Sequence, residues 1–154
     1  MQELNILNSR EVKKIRKIML DTYGYFPKED YAYLQSDKNK IYLVNKDLAK
    51  VDLRKLKVDK MGLYFAEIKD QQIRLSKEGA QLLFNQGKKE VKNVVEFNEE
   101  EIKTYFKGED LKKDLGTENK FVLLKHKEVF GCAKYKNGVI LNFLPKIHRG
   151  EVIV

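Results

Sequence analysis

A two-module α+β fold is the reading this chain supports: a small N-terminal α/β module over residues 1–87, followed by a mixed-β module over 88–154. Three observations carry it. Helix-capping signatures stand before amphipathic runs. Alternating apolar segments flank clusters of turn residues. The order of strand, cap and helix then restarts after Gly87-Lys88-Lys89-Glu90. With 154 residues, 42% hydrophobic and 35% charged, the chain has room for one ordinary domain or two small ones, and enough apolar residues to build a core.

The first helix is predicted from Asn8-Ser9-Arg10-Glu11, where Asn8 caps the first turn and Glu11 reaches back. Val12, Ile15, Ile18 and Met19 fall on one face and Lys13, Lys14, Arg16 and Lys17 on the other, with Gly24 as the stop and Pro27 beyond it. YAYLQ and KIYLVN around Ser36-Asp37-Lys38-Asn39 form a predicted hairpin. Tyr25, Phe26, Tyr31 and Tyr33 are expected in its core. Residues 46–60 mix short apolar steps with charge and receive no firm assignment. MGLYFAEI and IRL make a second hairpin around Asp70-Gln71-Gln72, and Ser76 caps the helix KEGAQLLFNQ, which stops at Gly87.

In the second module, KNVVEF is a strand. Asn98 with Glu101 repeats the capping box before the helix EEEIKTYF, whose three leading glutamates suit the positive end of its dipole. Tyr105 and Phe106 are expected to anchor this helix on a sheet. FVLLKHK, VFGCAKY and VILNFL follow as strands, the last two joined by Lys136-Asn137-Gly138, a strong hairpin turn.

Several classes of chemistry lack their residues. No apolar run reaches the ~18–20 residues of a membrane span. The start MQELNILNSREVKK has no signal-peptide core, so a cytoplasmic location is expected. Neither G-x-G-x-x-G nor G-x-x-x-x-G-K-[ST] occurs, and His126 and His148 stand far apart for metal ligands. Cys132 lies within an apolar run and reads as a buried thiol, and the acidic residues, in helix first turns and on polar faces, read as caps and solvated charges. Catalysis, a cofactor and a metal are therefore not expected.

What the sequence does offer is positive charge. Its 31 basic and 23 acidic residues leave +8, and residues 120–154 alone carry seven basic and two acidic groups. Lys125 and Lys127 lie in the first of the last three strands. Strand alternation puts Lys134 and Lys136 on one face, where adjacent ammonium groups repel unless solvent or an anion offsets them. In the ending Asn142-Phe143-Leu144-Pro145-Lys146-Ile147-His148-Arg149-Gly150, Pro145 restricts the backbone, Asn142 offers an amide, and Lys146, His148 and Arg149 suit phosphate contacts. A solvated basic terminus is the plainer reading of the same residues.

The pieces Gly62, Tyr105-Phe106-Lys107-Gly108-Glu109, Gly131, Asn137-Gly138 and Asn142-Phe143-Leu144-Pro145-Lys146, in that order, resemble the C-terminal extension of RsmF-type (Fmu/Sun-like) ribosomal RNA cytosine-5 methyltransferases. The two-module layout also resembles Nip-type ribosome-biogenesis factors, a pre-PUA module followed by a PUA domain. The resemblance, over about residues 60–150, implies a PUA-like mixed-β pseudo-barrel that binds structured RNA. It nominates Lys107 and Gly108 in the loop after the helix, and Asn142, Lys146 and Arg149 at the end. Gly108 fits either a close phosphate approach or a plain helix stop. The methyltransferase domain, its cofactor loop and its paired cysteines are absent, so that activity does not transfer. The expected function is noncatalytic binding of rRNA or tRNA in ribosome biogenesis or RNA modification. The rival is an adaptor that docks a separate RNA methyltransferase or assembly factor through the N-terminal helix.

Overall fold

In a computed structural model, which describes residues 4–28, 30–45 and 62–143, the chain forms two five-stranded sheets. The first has the order β1-β2-β3-β4-β5, an antiparallel meander of Leu4–Ile6, Tyr31–Ser36, Lys40–Asn45, Leu63–Lys69 and Gln72–Leu75. Helix α1 (Ser9–Tyr23) joins β1 to β2, and α2 (Lys77–Gly87) follows β5. A short 3-10 turn at Lys88–Glu90 leads into the second sheet. That sheet is mixed and curled into a half-barrel, in the order β6-β8-β9-β10-β7: Val94–Glu96, Lys120–His126, Glu128–Lys136, Val139–Ile140 and Leu111–Lys112. Strands β6 and β8 run parallel, with α3 (Glu99–Phe106) and β7 in the chain between them.

Local signals explain the helices. The Asn8 and Asn98 side chains accept from the backbone of Glu11 and Glu101, and each glutamate returns a bond to its cap. Each box satisfies two N–H groups that the helix itself leaves unpaired. Gly24 ends α1 at φ 74, a conformation that costs a residue with a Cβ. Ser76 caps α2, accepting from the Gly79 N–H at 2.8 Å and donating to the Tyr64 carbonyl at 2.5 Å.

Two short strands escape the sequence pattern. β1 and β7 have three and two residues, too few for a period to show, and exist because they find partners in β2 and β10. Conversely, the run VILNFL is a strand at Val139–Ile140 alone. Leu141 still donates to the Lys134 carbonyl at 2.9 Å, but the Asn142 N–H turns away to Asp110 Oδ1 at 2.7 Å and ends the ladder.

One core crosses the seam expected near Gly87. Met19, Tyr23, Phe65, Ile73 and Leu83 pack in the same cluster as Leu123, Val129 and Cys132 of the second sheet. The opposite face of that sheet holds a separate core in which Ile102, Tyr105 and Phe106 of α3 meet Val122, Leu124, Ala133 and Tyr135. Tyr25 and Tyr33 are buried in the first core with Phe26 and Tyr31 packed on it, and Phe26 stacks on Tyr33 at 5.6 Å. Strand β8 therefore feeds both cores, with Leu123 on one side and Val122 and Leu124 on the other.

Cys132 is buried where the two halves meet. Tyr23 donates its hydroxyl proton to the Ile73 carbonyl at 2.5 Å, so the thiol 3.5 Å away is the donor to the tyrosine oxygen. Burial pushes the thiol above its ordinary range, which keeps it protonated and a poor nucleophile. Among the described residues no group of three His, Cys, Asp or Glu could hold a metal, and no helix is long and apolar enough to cross a membrane.

Candidate nucleic-acid interface

The end of α3 and the segment leaving β10 are built as one unit. Lys107 closes the helix with its N–H directed at the Lys103 and Thr104 carbonyls, and Gly108 turns at φ 93 with its N–H on the Tyr105 carbonyl at 3.0 Å. Gly108 is thus the helix stop, one of its two expected roles. The Asn142 side-chain amide donates to the Tyr105 carbonyl at 2.6 Å and to the Glu109 carbonyl at 2.8 Å. The Tyr105 hydroxyl donates to the Leu141 carbonyl at 2.9 Å and accepts from the Phe143 N–H at 3.3 Å. Burial raises the Tyr105 phenol above its ordinary pKa, so this bridge keeps its proton through neutral and mildly alkaline conditions. Lys107 and Gly108 are therefore held beside Asn142. Asn142 spends its amide hydrogens on backbone carbonyls, which makes it the strut that positions the loop.

Phe143 points to a second cluster. Its ring lies 6.4 Å from that of Phe121 on β8, Arg74 of β5 sits over it at 5.1 Å, and Lys134 of β9 sits over Phe121 at 4.9 Å. Lys134 also reaches the Gln72 side-chain oxygen at 2.8 Å. The result is a row of cation, ring, ring and cation that runs from the edge of the first sheet onto the second. Phe143 stays 37% exposed, one of the few large apolar side chains to do so. Lys136 extends the row along the same face of β9 and is exposed.

Charge pairing separates these cations from their neighbours. Lys125 pairs with Glu96 at 2.8 Å, which holds that carboxyl below its usual range, and Lys113 pairs with Glu101 at 2.7 Å. Arg74 stands 3.6 Å from Glu67, a longer and half-exposed contact. Lys107, Lys134 and Lys136 have no carboxylate partner among the described residues; Lys134 rests on a neutral amide and a ring. Uncompensated cations on a folded face are what a phosphate backbone neutralises.

Alternation along β9 puts Lys134 and Lys136 on one face, as expected from the sequence. Arg74, Gln72 and Phe121 as their neighbours were not expected from it. Period two on β5 puts Gln72 and Arg74 on one face, but nothing local indicates that β5 lies beside β9, and this neighbourhood exists only after the halves pack. Lys146, His148 and Arg149 lie outside the described residues. His126, considered as a metal ligand, instead has Nδ1 2.8 Å from the Phe97 carbonyl.

Residues 92–149 match the family model of the methyltransferase RsmF PUA domain. No curated protein matches the chain significantly. The matched residues begin at the strand that opens the second sheet and include α3, the Lys107–Gly108 loop, Lys134, Lys136 and the Asn142 strut, while Gln72 and Arg74 lie before them. The C-terminal part of this chain is a PUA-like domain of the kind that RsmF-type proteins carry.

Proposed function

We propose that this protein binds structured RNA, rRNA or tRNA, without catalysing a reaction on it, and acts in ribosome biogenesis or RNA modification in the cytoplasm. The observation that carries the reading is the position of the unpaired cations. Within a region matching a PUA domain, Lys107, Lys134 and Lys136 lack carboxylate partners among the described residues, and the cation–ring row adds an exposed Phe143 to them. Lysines suit phosphates, and a ring flanked by cations suits an unstacked base at a loop or junction. On this reading the N-terminal half is a pre-PUA-like module that contributes Arg74 and Gln72 to the same surface.

The test is titration of labelled rRNA and tRNA fragments with the full chain across a salt series. Affinity should fall steeply with salt, and the triple variant Lys107→Ala, Lys134→Ala, Lys136→Ala should reduce the slope of log K against log salt by up to ~3, since each lost phosphate contact removes ~0.7–0.9. A triple variant that stays folded and keeps both the affinity and the slope of the parent would overturn the assignment. Mass analysis of the recovered RNA tests the noncatalytic half of the proposal: a chemical change produced by the purified chain would refute it.

A further inference from the structure

On the N-terminal half, away from the cation–ring row, a groove of about 690 Å³ runs between α1, the β1–β2 edge and the segment Gly24–Lys28. Its lining contains the other two large apolar side chains that stay exposed among the described residues, Ile6 at 50% and Leu20 at 39%. Leu20 is not on the buried face of its helix, which carries Ile15, Met19 and Tyr23. It shares a stripe with Lys13 and Arg16, seven and four residues before it, and all three line the groove. Lys28, whose ammonium lies 5.7 Å from the Tyr25 ring centroid, faces the same space. Among the described lining residues the one acid is Glu90. Among the described residues β1 is the terminal strand of its sheet and pairs with β2 alone. Tyr33 also lines the groove, and its buried hydroxyl has no hydrogen-bond partner among the described residues.

We infer that this groove docks an acidic amphipathic segment of a partner protein, with the segment's apolar side chains over Ile6 and Leu20 and its carboxylates on Lys13, Arg16 and Lys28. The charge and the apolar lining select that occupant together. An isolated exposed leucine needs no explanation, but two exposed aliphatics in one groove rimmed by three cations form a mixed surface that water solvates poorly. Nucleic acid would use the cations and gain little from Ile6, Leu20 and Pro27, which offer it neither hydrogen bonds nor a stacking plane. A second copy docking by the same face would set lysine against lysine. None of the lining residues belongs to the cation–ring row or the Asn142 strut, so RNA and the partner segment can be held at once. A docking site here would let the protein carry a partner to RNA, and it stands whether or not the RNA reading does.

The probe is a fluorescent synthetic helix-forming peptide with Leu and Phe on one face and Glu on the other, titrated with the full chain; its counterpart carries Lys in place of Glu. Tight, salt-sensitive binding of the acidic peptide and none of the basic one is expected. Leu20→Glu and Arg16→Glu, both at exposed helix positions, should each weaken it about tenfold or more while leaving RNA affinity and the unfolding midpoint unchanged. Four results overturn the inference. They are equal binding of both peptides, no binding of either, acidic-peptide binding that both variants retain, and displacement of the bound peptide by RNA. A concentration-dependent dimer that Leu20→Glu abolishes would give the groove to a second copy and equally refute the partner segment.

Discussion

Replacing Gly79 with alanine sets two opposed effects against each other. In an exposed helix interior the change favours folding by about 1 kcal/mol, because glycine loses more backbone freedom. Gly79 sits where α2 crosses β4, and a Cβ there would lie 2.1 Å from the Phe65 carbonyl oxygen and 3.0 Å from its carbon. To restore van der Waals distance the helix must retreat by ~1 Å or more. That oxygen already accepts from the Ser76 N–H at 2.9 Å, and Ser76 caps the same helix, so both sides of the contact are pinned backbone. Overpacking of this kind costs ~1–3 kcal/mol, and weakening the Ser76–Phe65 bond adds ~1. The clash should win by about 2 kcal/mol net. In urea, with a slope of ~1–2 kcal/mol per molar for a chain of this size, the midpoint should fall by ~1–2 M. Gly131→Ala is the control, since its Cβ meets no heavy atom within 4 Å, and its midpoint should scarcely move. If Gly79→Ala unfolds at the parental urea concentration or above it, the close crossing of α2 and β4 is wrong.

Asn142→Ala removes a donor from the Glu109 carbonyl and from the Tyr105 carbonyl, which keeps the Gly108 N–H, and should cost ~1–2 kcal/mol in urea unfolding; because the strut positions the Lys107 loop, RNA affinity should drop too, and an unchanged midpoint would contradict the strut. Phe143→Ala should lower affinity for RNA with unpaired bases by roughly 1–3 kcal/mol with little change in salt slope, whereas equal losses on blunt duplex RNA would argue against stacking. The Cys132 thiol and the Tyr23 phenol are raised by burial, so the folded chain binds protons that the unfolded chain has released at alkaline pH. Stability should therefore be full below the ordinary thiol pKa of ~8.5 and decline as pH rises above it, more steeply past ~10. Cys132→Ala should remove the first part of that decline; a parental profile flat up to pH ~10 would contradict the burial. In native protein a thiol reagent should leave Cys132 untouched until urea exposes it, and rapid labelling of the folded chain would count against the buried Tyr23 contact.

Much of the fold is legible because its signals are short-range. Asn8 with Glu11, Asn98 with Glu101 and Ser76 before Gly79 each act within three residues, and the three described α-helices start where those residues stand. The Asn137-Gly138 turn needs two consecutive positive φ angles, 51 and 81, which these residues tolerate, and it sets the β9–β10 register. The burial of Cys132 follows from the apolar run around it, and the shared face of Lys134 and Lys136 from alternation along one strand. β1 and β7 were not legible, because two or three residues carry no period.

Short-range signals along the chain specify where the described helices begin and stop and how β9 turns into β10, and the surplus charge gathers in the last third of the chain. Tertiary packing sets which of those cations meet a carboxylate among the described residues. Lys125 and Lys113 look like Lys134 and Lys136 in the sequence, yet the first two fold against glutamates while Lys134 folds against Gln72 and Phe121. Asn142 reads as an exposed amide and becomes a strut because the helix end and the last strand converge on it. Ring–cation contacts and ion pairs act over a few ångströms in space, and the packing of the two sheets brings Arg74 to Phe143 across nearly half the chain. Local patterns specify the elements; the identity of each side chain's neighbour is settled when both cores form around the shared strand β8.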